Sequence, residues 1–154
     1  MYQNNFTKNI DDWEIKGGDW SVKDGILRQS AIAANTTAFV GDKSWKDYII
    51  TVKARKISGD NGIQIYFRNK NKDERIRWEM GGNVNSAFIM QNGITNESHP
   101  GSIEADRWYD IKVEVKGTRV KAFVDGKLIQ DVNDTNSNLN AINTSAVKDE
   151  KSGD

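Results

Sequence analysis

The chain has 154 residues, with 22 basic and 22 acidic side chains that cancel. Balanced charge argues against nucleic acid as the main partner, which favours a basic stripe, and no apolar run approaches the ~20 residues of a membrane-spanning helix. The absence of cysteine excludes disulfides and thiolate metal sites. One domain is expected, large enough to bury a real core from five Trp, four Tyr and five Phe.

In chain order, Phe6 to Trp13 reads as irregular or as a short edge strand. Two short alternating runs then flank Asp24-Gly25, a dipeptide suited to the positive φ of a hairpin turn, and they place Trp20, Val22 and Leu27 in the core. Thr37 to Val40 is a short strand, and 41–46 a loop holding Trp45. Asp47 to Lys56 alternates with Tyr48, Ile50, Val52 and Ala54 on one face and Lys53 and Arg55 on the other. After the turn at 58–62, Ile63, Ile65 and Phe67 point inward, while Gln64, Tyr66 and Arg68 point outward. A polar turn at 69–74 leads into Arg75–Met80, with Ile76, Trp78 and Met80 opposed to Arg75, Arg77 and Glu79. Gly81-Gly82 breaks this strand and begins a loop carrying Asn83 and Asn85.

Ser86 to Gln91 is a further strand, closed by a turn at Asn92-Gly93, and Asn96 to Asp106 reads as a loop. Trp108 to Lys116, Arg119 to Val124 and Lys127 to Val132 are strands joined at Gly117-Thr118 and Asp125-Gly126. No segment keeps helical periodicity. About ten short strands separated by turns indicate an all-β antiparallel sandwich of the jelly-roll type. Residues 133–154, rich in Asn, Asp, Ser, Thr and Lys, read as a linker or tail after a β-sandwich spanning 1–132, with a short docked strand as the alternative.

The candidate chemistry lies on the outward side of the strands around residues 63–80. Tyr66, Arg68, Arg77 and Glu79 project from two strands joined by one turn, so normal pairing brings them within reach of one another. Guanidinium, carboxylate and amide groups together suit sugar hydroxyls, which both donate and accept, and a tyrosine ring offers a face to C–H surfaces. The alternative is a solvated sheet face with cross-strand ion pairs. Asn83 and Asn85 extend the surface, and Trp45 is a candidate for exposed stacking. A glycosidase needs two facing carboxylates, and no spacing here singles out a pair; Glu79 with Glu104 or Asp106 is one arbitrary choice among many. His99 is the only histidine, which weakens any catalytic triad. No cofactor is required. A structural calcium ion is a secondary expectation, because Asp11-Asp12, Asp60-Asn61 and the acids between 131 and 134 supply oxygen ligands without an EF-hand spacing.

Several ordered motifs carry a resemblance: Trp20-x-Val22-x-Asp24-Gly25-x-Leu27, 41–48 with Trp45 and Asp47, Trp78-x-x-Gly81-Gly82-x-x-Asn85, Trp108-Tyr109-Asp110 and Val124-Asp125-Gly126-Lys127. Together they resemble the concanavalin A/laminin-G-like carbohydrate-binding module found in α-L-arabinofuranosidases of glycoside hydrolase family fifty-one. The tail from Asn143 looks like the segment that enters the C-terminal β-domain of those enzymes. The resemblance implies a non-catalytic module that binds arabinose- or xylose-containing plant oligosaccharide or polysaccharide. Its second partner would be a catalytic domain of the same polypeptide, in an extracellular or cell-surface bacterial enzyme. A cytoplasmic location is the alternative; Met1–Phe6 lacks the features of a signal peptide, which means little in a piece of a larger protein. The rival function is a purely structural sandwich that packs on its parent enzyme and binds no sugar. One departure stands out. The pattern carries an aromatic after the Gly-Gly pair, where this chain has Asn83 and Val84.

Overall fold

The computed structural model describes residues 1–32, 36–42, 44–71, 74–92, 95–133 and 145–149. Its elements are β1 (Glu14–Lys16), β2 (Trp20–Lys23), β3 (Ile26–Gln29), β4 (Thr37–Val40), β5 (Tyr48–Arg55), β6 (Ile63–Asn71), β7 (Glu74–Gly81), the short turn α1 (Gly82–Asn85), β8 (Ala87–Asn92), β9 (Thr95–Pro100), β10 (Trp108–Lys116), β11 (Arg119–Val124), β12 (Lys127–Asn133) and β13 (Ser145–Asp149). A seven-stranded sheet, ordered β1-β4-β13-β6-β7-β8-β9, packs on a four-stranded sheet ordered β12-β11-β10-β5, and β2-β3 forms a separate hairpin. Every strand pair among the described residues is antiparallel.

The alternation seen in the sequence sets the core. Ile63, Ile65, Phe67, Ile76, Trp78, Met80, Phe88 and Met90 of the large sheet meet Tyr109, Ile111, Val113, Val115, Val120, Ala122 and Val124 of the small one. Each such side chain, fully buried, contributes roughly 1.5–3 kcal/mol. Trp78 is fully buried and its indole Nε1–H donates to Gln130 Oε1 at 2.6 Å. Gln130 in turn donates to the Glu97 carbonyl at 3.1 Å, which ties β12 to β7 and β9 through the interior. The Asp24-Gly25 and Asp125-Gly126 turns have positive φ at both residues (55° and 72°, 51° and 80°), as tight hairpin turns matching strand twist require.

Four expectations change. Trp20, Val22 and Leu27 are half-buried and stand outside the main core, because their hairpin forms its own two-stranded sheet. Half of the expected 96–106 loop is strand β9, which pairs with β8 from Asn92↔Thr95 to Ala87↔Pro100. This edge strand is polar and ends in proline, so it carries no apolar alternation. Ser145–Asp149, placed by sequence in a linker or tail, forms β13 between β4 and β6, the docked-strand alternative. Finally, β6 breaks register between Phe67 and Asn71, with Arg68 at φ 48°.

Candidate functional site

The register places Gln64 opposite Glu79 and Tyr66 opposite Arg77. Across β7–β8, Glu79 stands opposite Ile89 and Arg77 opposite Gln91. These side chains share the face turned away from the small sheet. The Tyr66 hydroxyl donates to Gln64 Oε1 at 2.8 Å, and Gln64 Nε2–H donates to Glu79 Oε1 at 3.0 Å. Arg77 Nη2 lies 3.6 Å from Glu79 Oε2. The Arg75 guanidinium sits 4.0 Å from the Tyr66 ring centroid, a cation–π arrangement, and Tyr66 packs with Phe39 of β4. Tyr66, Arg77 and Glu79 therefore come together, linked through Gln64, which the sequence reading placed on this face but not among the site residues. Its alternation position was the only signal, and a glutamine there looks like any solvated residue.

The network is polar yet deep. Gln64 is 2%, Tyr66 5% and Glu79 7% exposed. Among the described residues, Arg77 Nε is buried and has no hydrogen-bond partner. A buried N–H left unpaired costs about 1–3 kcal/mol, so this donor is the group on the face most in need of an acceptor.

The Gly-Gly pair serves two purposes. Gly81 supplies φ 83°, while a Cβ on Gly82 would lie 2.8 Å from Glu79 Cδ and 2.8 Å from Ile89 Cδ1. Only a bare backbone can close over the carboxylate at that point. Asn83, Val84 and Asn85 then follow in left-handed conformation, at φ 51°, 55° and 57°. Asn83 is exposed at the tip of this turn. Asn85 is engaged in the fold: its Oδ1 accepts the Ile103 N–H at 2.8 Å and its Nδ2–H donates to the Ile103 carbonyl at 2.9 Å.

Two expected members stand elsewhere. Past the β6 irregularity, the Arg68 N–H donates to the Tyr48 hydroxyl at 2.9 Å and its guanidinium donates to the Gly117 carbonyl. The positive φ turns Arg68 toward the small sheet and away from Tyr66. Trp45 lies beside Tyr48, with ring centroids 6.5 Å apart, at the edge of β5. Among the described residues no group of three His, Asp or Glu side chains could hold a metal ion. Asp131 is taken by both arms of Arg119 at 2.8 and 2.6 Å, and Asn61 accepts the Val84 N–H. Residue 134 lies outside the described residues.

With this geometry in view, the comparisons with known proteins are informative. The family described as the 3-keto-alpha-glucoside-1,2-lyase-like domain matches residues 3–153. The chain belongs to this family. It is also 35% identical over 134 residues to an extracellular exo-alpha-L-arabinofuranosidase of Streptomyces chartreusis; the match covers 82% of this chain but 16% of that enzyme. Among solved structures, the carbohydrate-binding module CBM66 of Bacillus subtilis superposes with a TM-score of 0.66 at 15% identity, over 90% of this chain and 88% of that one. The Crh5 transglycosylase gives a TM-score of 0.71 at 13% identity, over 95% and 67%. A β-glucanase of Bacillus licheniformis gives 0.63 at 14%, over 95% and 83%. At such identities these structures share the fold, and they include both binding modules and enzymes. The concanavalin A-like sandwich and the arabinofuranosidase kinship expected from the motifs are both present. Among the described residues no helix is long and apolar enough to cross a membrane.

Proposed function

We propose that the chain is a non-catalytic carbohydrate-binding module of a larger, secreted glycoside hydrolase, and that it recognises arabinose- or xylose-containing glycans on the outer face of the seven-stranded sheet. The observation that carries this reading is the Tyr66–Gln64–Glu79–Arg77 network with its unpartnered Arg77 Nε. A sugar hydroxyl can accept from the Arg77 guanidinium, whose side chain is 34% exposed, and donate onward to the Glu79 carboxylate. The arabinofuranosidase relative supports the ligand class, and the small share of that enzyme covered supports a module beside a separate catalytic domain.

Glu79 is the only carboxylate on the outer rows of β6 to β9 among side chains the structure describes. Two carboxyl groups within about 5–9.5 Å are needed for glycoside hydrolysis, so this face is equipped for binding rather than cleavage. Binding there would hold the linked catalytic domain near substrate and raise its effective concentration. With few polar contacts, affinity in the range of roughly micromolar to millimolar is expected.

One observation favours the structural alternative, a sandwich that packs on its parent without a ligand: most of the network is already satisfied internally and little exposed. Affinity electrophoresis of the chain through gels containing arabinoxylan or arabinan separates the two. Retardation relative to a sugar-free gel is expected. A folded sample that migrates unchanged in every plant glycan would overturn the binding reading and leave the structural one.

A further inference from the structure

A cleft of about 1020 Å³ opens on the other side of the molecule, along the free edge of β5. Its lining includes none of Gln64, Tyr66, Arg77 or Glu79. Three aromatic residues, Tyr2, Phe6 and Trp13, reach it from the N-terminal segment, and Trp45, Tyr48 and Trp108 reach it from β5 and its surroundings. The N-terminal rings brace one another, with Phe6 and Trp13 centroids 5.9 Å apart and Trp13 Nε1–H donating to the Tyr2 hydroxyl at 2.8 Å. Three of the five tryptophans thus surround an open cleft while only Trp78 is in the main core. Trp108, at one end of the cleft, is 44% exposed and Ile49, toward the other end of β5, 64% exposed.

The lining is mixed in a way that selects its ligand. Asp47 adds an acceptor, and Lys53 adds a donor whose charge is already balanced by Asp110 at 3.7 Å. Asp47 Oδ1 accepts the Gly117 N–H at 2.8 Å, which leaves its second oxygen for a ligand. The Asp47 carboxylate disfavours an anionic ligand by repulsion and a wholly apolar one by desolvation. Aromatic faces with a donor and an acceptor between them fit a neutral polyol, whose C–H faces stack while its hydroxyls bond. The volume is at the upper end of the ~300–1,000 Å³ typical of ligand sites.

We infer that this cleft is a second saccharide subsite, separate from the outer sheet face, in which a neutral oligosaccharide stacks against Trp45 and the N-terminal aromatic cluster. The ligand class rests on the carbohydrate reading above; the location does not. Two such subsites on one module let it engage a branched or bundled polysaccharide at two points.

The test uses calorimetry and tryptophan fluorescence on the whole chain, titrated with xylo- and arabino-oligosaccharides. Wild type, Glu79→Gln, Trp45→Ala and Thr51→Arg are compared, the last placing a long side chain at an exposed cleft position that leaves the core untouched. Circular dichroism and melting confirm the fold of each. Trp45→Ala and Thr51→Arg should each weaken the fluorescence-reported binding about tenfold or more, the loss of one good aromatic contact, while Glu79→Gln leaves that binding unchanged. If both cleft variants bind as wild type does and only Glu79→Gln loses affinity, the second subsite is overturned and the outer-face reading stands. If the cleft variants alone lose all binding, the cleft is upheld and the outer face fails. Concentration-dependent dimerisation through β5, with no saccharide effect on fluorescence, would also overturn it.

Discussion

On one face of the β6–β7 pair, Ile63, Ile65, Phe67, Ile76 and Trp78 are at most 2% exposed; on the other, Gln64 is 2%, Tyr66 5% and Glu79 7%. The two faces are almost equally removed from water and opposite in chemistry. The inner face gains from burial itself. The outer face withdraws a carboxylate and an amide from solvent, beside the half-buried Arg77, and recovers most of that cost through mutual hydrogen bonds. A buried polar network of this kind is a poor source of stability, since well-packed apolar residues would serve as well. It holds Glu79 and Arg77 in one arrangement, with Arg77 Nε unpaired among the described residues.

The contrast can be broken by substitution. Trp78→Ala should have the largest effect. It removes a fully buried indole and strands Gln130, so a loss of about 3–5 kcal/mol is expected in urea denaturation. On the outer face, Gln64→Leu leaves Glu79 without its amide donor and should cost about 1.5–3 kcal/mol. The double variant Gln64→Leu/Glu79→Leu should recover most of that loss, because both partners go together. A double variant as unstable as the single one would mean that the two faces stabilise the sheet in the same way.

A smaller effect marks where the outer face ends. Burial pushes the Tyr48 phenol up to about 12, opposed by the Arg68 N–H that it accepts. A folded value above the unfolded ~10 contributes stability that is complete below pH 10 and is lost as pH rises toward 12. Between pH 9 and 11 the wild type should lose about 1 kcal/mol more than Tyr48→Phe. Equal losses would show that burial does not hold the Tyr48 phenol above its ordinary range.

Much of the sandwich was legible because alternation is strict where one face of a strand is buried. β5, β7, β8 and β10 to β12 appear within a residue or two of where their apolar positions place them, and Asp24-Gly25 and Asp125-Gly126 mark the β2–β3 and β11–β12 turns. The strands that escaped notice lack that signal. Thr95–Pro100 is a polar edge strand, and Ser145–Asp149 pairs between strands distant in sequence, which no local pattern encodes. Alternation also reports side, not depth. Gln64, Tyr66 and Glu79 were correctly placed on the outer face, but nothing local said that they would be buried there. Arg68 left that face because a single left-handed residue breaks the period of two. Trp45, a candidate for exposed stacking, lies beside β5 of the small sheet, whereas Glu79 lies on β7 of the large one.

The central claim is that the outer face, and Arg77 in particular, meets a saccharide. It is tested most directly by two-dimensional ¹H–¹⁵N NMR of the chain during titration with arabinoxylan-derived oligosaccharides. The account predicts that the Arg77 Nε–H resonance and the Gln64 side-chain amide shift in step with saturation, and that Glu79→Gln weakens the response at least about tenfold. Saturating binding that leaves both resonances in place, with shifts confined to other parts of the molecule, would contradict it.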